Sequence, residues 1–124
     1  MATFKTWDTV KVPFPYTDRP VRQHRPALVI AAGKIQAAHR LLWVLMITSA
    51  DNRRWDEDEV ISDLPRAGLS AASVIRCAKV ATIDAKDAER IGALAQRDRA
   101  GVSNHLMRIL AGTVPVAGST RPRH

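Results

Sequence analysis

The sequence predicts a mainly β (α+β) domain, in which a small antiparallel sheet is strongly bent into a partly open barrel and helices from the C-terminal part pack on it. Five or six short apolar or alternating stretches come first, and amphipathic helical patterns come only after them. This order excludes a βαβ alternation. The 124 residues are enough for one domain with a core. We assign residues 1–112 to that domain and residues 113–124 to a disordered basic tail.

The first strand and the loop after it are marked by alternation and by proline. Residues 7–13 alternate, with Val10 and Val12 on one face, as expected for a half-buried strand. Three prolines within residues 13–20 then predict a rigid, irregular loop that lasts until about Gln23.

An arginine stands directly before the second predicted strand. Arg25 and Pro26 lead into the apolar run at residues 27–32. Proline lacks an amide hydrogen and disfavours a helical residue before it, so this proline belongs at the start of a strand. Arg25 is therefore expected at the rim of the sheet, where its planar, permanently charged guanidinium suits a phosphate.

The third strand is a continuously apolar run. Residues 41–47 are too few for a confident helix and are predicted as a central strand that ends at Thr48 and Ser49. Before it, residues 34–39 are predicted as a turn or a short helix. After it, residues 51–59 show no apolar periodicity and are predicted as a solvated loop.

The remaining chain supplies the other strands and the helices. Asp84 resembles a helix N-cap, and the apolar residues of the last helix recur at Val102, Leu106, Ile109 and Leu110. The predicted segments are strands at 60–61, 72–75 and 78–83, a turn at 65–68, and helices at 84–95 and from about 102 to 112.

Composition favours a soluble, cytoplasmic protein. Hydrophobic residues make up 46% and charged residues 25% of the chain, and no stretch approaches the roughly 18 consecutive apolar residues of a membrane span. The N-terminus lacks the apolar segment and cleavage site of a secretion signal. The single cysteine, Cys77, cannot form an internal disulfide and is expected to be a small buried hydrophobe.

The charge distribution favours a polyanionic partner. The net charge is +7, and residues 1–54 hold nine Lys or Arg against three Asp or Glu. Such a basic field attracts nucleic acid through counterion release, although it also serves solubility alone. The sequence shows no glycine-rich phosphate loop, no metal-spaced His/Cys cluster and no Gly-x-Ser-x-Gly elbow. These absences disfavour nucleotide hydrolases, zinc enzymes and esterase-like hydrolases. We expect no cofactor and no metal.

Five short segments, in order and spacing, carry a resemblance to a known family. They are WDTVKVPFP (7–15), RPALV (25–29), MITS (46–49), SVIR (73–76) and ATID (81–84). No one of them is specific, but the ordered set, which extends from about Trp7 to Leu110, resembles the MazF/PemK toxin (mRNA interferase) family.

The resemblance implies an SH3-like barrel, usually a homodimer, that cleaves single-stranded RNA without a metal and is neutralised by a cognate antitoxin. It implies catalysis by Arg25 and Thr48. In metal-free cleavage the ribose 2′-hydroxyl attacks the adjacent phosphate, giving a cyclic phosphate and a 5′-hydroxyl end. Arg25 would stabilise the charge on the phosphorane, and Thr48 would hold a nonbridging oxygen or the attacking hydroxyl. Ser49 is a second candidate for that contact.

The sequence does not assign the general base. Histidine is the residue type most often used as a general base near neutral pH, yet His24 adjoins Arg25, and neighbours in an extended segment face opposite sides. It is therefore either the base or a solvated loop histidine, and the family resemblance offers Arg25 itself for proton transfer.

RNA recognition is expected from basic and aromatic residues outside the catalytic pair. In the loop after Thr48 charges can hold phosphates and a ring can stack on an unpaired base; alternatively the loop is merely solvated and its ring packs on the barrel. The loop before Arg25 departs from many relatives in being rich in proline and arginine, so base preference is not transferred. The candidates are Arg19, Arg22, Arg53, Arg54, Trp55, Arg76 and Lys79.

The chain has more large apolar groups than a small barrel need bury, including three tryptophans. They indicate either a homodimer surface or a well-filled core, for which Trp43 is the best example. An acidic, apolar antitoxin segment is expected across the basic face, covering Arg25 and ordering residues 51–59. Three alternatives stay open: a toxin of the same fold that poisons DNA gyrase by binding, a non-catalytic RNA-binding module, and an inactive family member.

Overall fold

A six-stranded antiparallel sheet that does not close, with the strand order β4-β5-β3-β2-β1-β6, carries the C-terminal helix. The computed structural model describes residues 2–13 and 23–113. The strands are β1 Asp8–Pro13, β2 His24–Ala31, β3 Leu41–Ser49, β4 Asp58–Val60, β5 Ser73–Asp84 and β6 Glu89–Ala93. The helices are α1 Gly33–His39, α2 Leu64–Ala67 and α3 Gln96–Thr113, with a 3₁₀ turn at Ala85–Asp87. The predicted fold class is confirmed.

Alternate residues along the strands belong to two apolar cores, one on each face of the sheet. Ala27 of β2 lies opposite Met46 of β3, and the next pair, Leu28 with Leu45, points to the other face. Burial on both faces explains why these strands are continuous apolar runs in the sequence. The first core contains Phe4, Val10, Val12, Ala27, Val29, Ala32, Leu42, Val44, Met46, Ile83 and Ala85. The second contains Leu28, Leu45, Ile47, Ile61, Ala67, Ile75, Cys77, Leu94 and Val102.

A bulge bends β5 in its middle. Leu45 of β3 pairs with Val80, but the next residue, Met46, pairs with Arg76, so residues 77–79 of β5 are extra to the ladder. Extra residues on one strand kink it and increase its twist. The two strands predicted at 72–75 and 78–83 are therefore the two arms of one bent strand.

The helix predicted at residues 84–95 is wrong. Ala85–Asp87 form a 3₁₀ turn and Glu89–Ala93 form β6, which pairs with β1. The outer edge of β1 would otherwise leave backbone donors and acceptors unpaired, and this tertiary pairing outweighs a weak local preference for helix. Gly92 lies inside the predicted helix, where glycine is unfavourable. A Cβ there would collide with the backbone of Arg66 and Ala67 in α2.

The other expected segments need smaller corrections. The helical stripe before Gly112 is confirmed in α3, which ends one residue later at Thr113, although Leu110 is 56% exposed rather than packed. The short helix predicted at 34–39 is α1, and the turn at 65–68 is the single-turn α2, which ends at a left-handed Gly68. The C-terminal part thus contributes one long helix instead of two.

Trp43 is not a core residue. Its neighbours Leu42 and Val44 belong to the first core, so strand alternation turns Trp43 to the opposite face, where 48% of it is exposed. The expectation that Trp43 fills the core is wrong. Cys77, by contrast, is buried in the second core as expected. The predicted loop at residues 14–22, with Arg19 and Arg22, and residues 114–124 of the predicted tail lie outside the described residues.

Candidate active site

Arg25 and Thr48 lie near adjoining ends of two neighbouring antiparallel strands, β2 and β3. The ladder between β2 and β3 ends at the pair Ala27 and Met46, and Arg25 and Thr48 each lie two residues beyond it, so strand alternation puts each on the same face as that pair. Both therefore lie on the face of the first core, and Arg25 is flanked on its other side by Val12, its partner in β1. Strand alternation thus puts the two predicted catalytic residues on one face, at adjoining ends of neighbouring strands.

Both side chains are largely withdrawn from solvent. Thr48 is only 8% exposed, and Arg25 is half-buried with its Nε atom covered. Pro26 explains the position of Arg25, because a proline without an amide hydrogen can begin the ladder but does not suit its middle. A guanidinium backed by apolar core is a charge whose direction is limited by packing, which is the geometry that transition-state stabilisation requires.

A loop side chain that sequence reasoning missed contacts Thr48. Asn52 Nδ2 donates to Thr48 Oγ1 over 2.6 Å. The backbone holds this asparagine in a tight turn, since the Asn52 amide donates to the Ser49 carbonyl at 3.1 Å. Asparagine in a turn commonly bonds to nearby groups of its own chain, and that preference was the available signal.

Ser49 and His24 lie on the opposite faces of their strands from Thr48 and Arg25. Ser49 follows Thr48 and so faces the other side of β3, where its Oγ accepts a hydrogen bond from the Asp51 amide at 3.2 Å. His24 is exposed at the first position of β2, and strand alternation turns it away from the face of Arg25. The structure therefore gives Ser49 a role in shaping the turn.

Arg76 anchors the β3–β4 loop (residues 50–57). Its Nε and Nη2 atoms lie 3.2 and 3.0 Å from the two carboxylate oxygens of Asp58, and Nη2 also donates to the Arg53 carbonyl at 2.6 Å. The Asp58 side chain is fully buried and that of Arg76 is 11% exposed. The guanidinium carbon stands 4.1 Å from the centroid of the Trp55 ring. We call Arg76, Asp58 and Trp55 the loop clamp.

The remaining predicted RNA contacts are spread over the loop and the bend of β5. Arg53 and Arg54 are exposed, and Trp55 is 39% exposed although Arg76 stacks on it. Arg54 and Asn52 line a small pocket of about 50 Å³. Lys79 lies in the β5 bulge and is half-buried. The loop therefore presents the exposed charges of Arg53 and Arg54. The loop clamp holds its Trp55 ring and its backbone at Arg53.

Cys77 is excluded from nucleophilic chemistry by its environment. It is 2% exposed in the second core, on the face away from Arg25. Burial, followed by the nearby carboxylates of Glu59, Asp58 and Glu57, raises the pKa of the Cys77 thiol to about 12. The thiolate that would react is therefore suppressed at neutral pH.

Within residues 2–13 and 23–113, no three His, Cys, Asp or Glu side chains are grouped so that they would hold a metal ion. In the same residues, no helix combines the length and hydropathy needed to cross a bilayer.

Comparison with protein families places these features in a known group. Residues 5–110 match the family described as PemK-like, MazF-like toxin of type II toxin-antitoxin system. The chain belongs to this PemK-like, MazF-like toxin family. A search of curated protein sequences found no match. The resemblance that five short segments suggested is thereby confirmed over nearly the same range.

Solved structures of the same family share the fold. MazF from Deinococcus radiodurans is 18% identical, with a TM-score of 0.73 over 90% of this chain and 99% of that one. A MazE-MazF structure from the same organism is 19% identical, with a TM-score of 0.68 over 89% and 97%. The Mycobacterium tuberculosis toxin MazF-mt6 is 18% identical, with a TM-score of 0.63 over 82% and 95%. At these identities the likeness shows the fold alone.

Proposed function

We propose that this protein is the toxin of a type II toxin-antitoxin system and acts as a metal-independent, sequence-selective endoribonuclease on single-stranded RNA. The positions of Arg25 and Thr48 carry the proposal, because each lies two residues beyond the Ala27–Met46 pair of neighbouring strands and alternation puts both on one face of the sheet. A permanently charged donor beside a hydroxyl, both backed by core, suits a phosphate that gains charge during reaction.

In the proposed reaction the 2′-oxygen of the RNA bonds to the adjacent phosphorus and the bond from phosphorus to the 5′-oxygen breaks. The 2′-hydroxyl gives up a proton and the departing 5′-oxygen takes one up, leaving a cyclic phosphate and a 5′-hydroxyl end. Arg25 stabilises the extra negative charge of the phosphorane. Thr48 binds a nonbridging oxygen. Removing one such donor commonly costs about 10²–10³ in rate.

The alternation of β2 bears on the proton transfer. His24 points to the opposite face from Arg25, so a phosphate between Arg25 and Thr48 lies on the far side of the strand from the imidazole. This geometry disfavours His24 as the general base and leaves it as an exposed histidine at the strand end. Arg25 stays protonated, so its proposed role is to donate hydrogen bonds to the phosphate, and the geometry assigns no side chain as the base.

The β3–β4 loop is proposed to bind the flanking nucleotides. Arg53 and Arg54 are exposed beside the site, and the partly exposed Trp55 ring offers a surface for an unpaired base. Arg76 already binds Asp58 and the Arg53 carbonyl, so it supports RNA binding mainly by holding this loop. Lys79 is a further proposed phosphate contact from the β5 bulge.

Two protein partners are proposed, a second copy of this chain and a cognate antitoxin. Trp43 and Val80 are 48% and 57% exposed, and the pairing of Leu45 with Val80 and of Trp43 with Thr82 puts both on one face of the sheet. A homodimer would cover such apolar surface. An acidic, apolar segment of the antitoxin would lie across the basic face and cover Arg25.

Cleavage of single-stranded RNA in EDTA tests the proposed function. The unaltered protein is expected to cut, and Arg25→Ala and Thr48→Ala are each expected to slow cutting by about 10²-fold or more. Lys34→Ala, an exposed residue of α1, is the matched control for loss of one positive charge. Cleavage that requires added metal, or that survives both substitutions, contradicts the mechanism. A toxin that poisons DNA gyrase by binding would show no ribonuclease activity and would tolerate both changes.

A further inference from the structure

The hydroxyl of Thr48 is engaged by one loop side chain, Asn52, whose Nδ2 donates to Thr48 Oγ1 at 2.6 Å. The loop presents this amide through its own backbone, because the Asn52 amide donates to the Ser49 carbonyl at 3.1 Å and the Asp51 amide to Ser49 Oγ at 3.2 Å. The contact is thus part of a turn with a defined geometry at the end of β3.

The far side of the loop is held as well. Arg76 donates to the carbonyl of Arg53, the residue after Asn52, and its guanidinium is fixed by the buried carboxylate of Asp58. Trp55, two residues further on, lies under the same guanidinium, and its amide donates to Asp58 Oδ2 at 2.9 Å. Asn52 is therefore supported from both directions, which is what a group that orients a neighbouring side chain requires.

The contact with Asn52 uses only part of the hydrogen-bonding capacity of the Thr48 hydroxyl. A threonine hydroxyl has one O–H donor and two acceptor positions, and the Asn52 amide occupies an acceptor position. The O–H proton is not used in the contact. Since the oxygens of an RNA phosphodiester only accept hydrogen bonds, the hydroxyl can bind one of them only by donating.

We infer that Asn52 is a positioning residue that sets the Thr48 hydroxyl as a hydrogen-bond donor to the scissile phosphate. This inference rests on the proposed ribonuclease function and deepens it by assigning the direction of the hydrogen bond at Thr48. Asn52 acts through Thr48 and does not itself need to touch the RNA.

Asn52→Asp tests the direction of the bond. The carboxylate keeps the shape of the amide but cannot donate, so the Thr48 proton turns toward it and no donor is left for the phosphate. We expect kcat to fall by about 10²-fold, close to the effect of Thr48→Ala, because removing a donor from the transition state has that size. Asn52→Ala frees the hydroxyl without reversing it, and a loss of about tenfold is expected from one lost hydrogen bond.

The new negative charge of Asn52→Asp also repels RNA, and two controls separate this effect. Ala50→Asp puts the same charge on an exposed residue of the same loop, two positions away, and is expected to raise KM in a salt-dependent manner while leaving kcat within about twofold. In the Thr48→Ala background, Asn52→Asp should cause no further loss of kcat, because two changes to one interaction are not additive.

The outcomes are distinguishable. A loss of kcat in Asn52→Asp that vanishes in the Thr48→Ala background, with an unchanged melting temperature, supports the inference. Full kcat in Asn52→Asp, or the same loss with and without Thr48, overturns it while leaving the proposed function intact. Failure of the unaltered protein to cleave RNA overturns the proposed function first, and the assignment of Asn52 falls with it.

Discussion

Arg76 and Asp58 form a buried ion pair in which two nitrogens of the guanidinium meet two oxygens of the carboxylate, at 3.2 and 3.0 Å. Both residues come from neighbouring strands, since Asp58 of β4 pairs directly with Arg76 of β5. The same carboxylate accepts the Trp55 amide at 2.9 Å, so the pair joins the sheet to the β3–β4 loop. A buried pair of this kind specifies geometry more than it adds net stability.

Removing one partner of this pair should be costly. Asp58→Ala leaves the Arg76 guanidinium buried without its carboxylate, and we expect the free energy of unfolding to fall by about 3–5 kcal/mol in urea denaturation. Arg97→Ala is the control, because Arg97 and Asp63 form an exposed pair 4.0 Å apart and such pairs contribute about 0–1 kcal/mol. Equal losses in the two variants would contradict a structural role for the clamp.

The two exposed arginines of the loop should act through phosphate. Arg53→Ala combined with Arg54→Ala is expected to raise KM and to flatten the dependence of binding on salt by up to about 1.4 in the slope of log K against log salt, for two contacts on a single strand. The measurement is RNA affinity at several salt concentrations. Lys5→Ala with Lys11→Ala, two exposed lysines of the N-terminal segment and β1, is the charge-matched control. An unchanged salt slope would show that the two arginines do not contact phosphates and that the loop is only solvated.

Gly92 should tolerate no side chain. A Cβ at Gly92 would collide with the backbone of Arg66 and Ala67, so Gly92→Ala is expected to lower the melting temperature strongly or to displace α2 from β6. Gly112 in α3 has open space around it, and Gly112→Ala is expected to be neutral or slightly stabilising because alanine favours helix. Thermal unfolding of the two variants side by side makes the comparison.

Cys77 should link stability to alkaline pH. Its folded pKa is raised to about 12 from a usual value of 9.0, so the unfolded chain loses the thiol proton first as the pH rises. The stabilisation from the neutral thiol is complete below pH 9 and is lost between pH 9 and about pH 12. The difference in unfolding free energy between the protein and Cys77→Ala should shrink across that window. A difference that is constant with pH would contradict the raised pKa.

The local sequence pattern was sufficient to predict the strands that carry Arg25 and Thr48. Residues 41–47 are continuously apolar because β3 is buried on both faces, and alternation revealed the first strand because one of its faces lines a core. Pro26 marked the start of β2, since its missing amide hydrogen restricts where it can stand. These signals arise from the burial and covalent structure of the residues themselves, so they are visible without knowledge of the fold.

Contacts between residues on different strands could not be predicted from the sequence in the same way. Asp58 and Arg76 are 18 positions apart, and they meet because β4 pairs with the arm of β5 that precedes the bulge. The prediction of a helix at 84–95 was wrong for a related reason. Residues 89–93 form β6, which pairs with the outer edge of β1. Local propensity is worth less than these long-range hydrogen bonds, and it says nothing about them.

By itself, the sequence determined the fold class, the family resemblance, and the placement of Arg25 at the mouth of one strand and Thr48 at the end of the next. Only the tertiary structure decided that Asn52 donates to Thr48 and that Arg76 holds the β3–β4 loop. It also decided that His24 lies on the opposite face from Arg25 and that Trp43 is exposed instead of filling the core. The physical reason is register. In a sheet, a shift of one residue exchanges the two faces, and the register depends on pairings between segments distant in the chain.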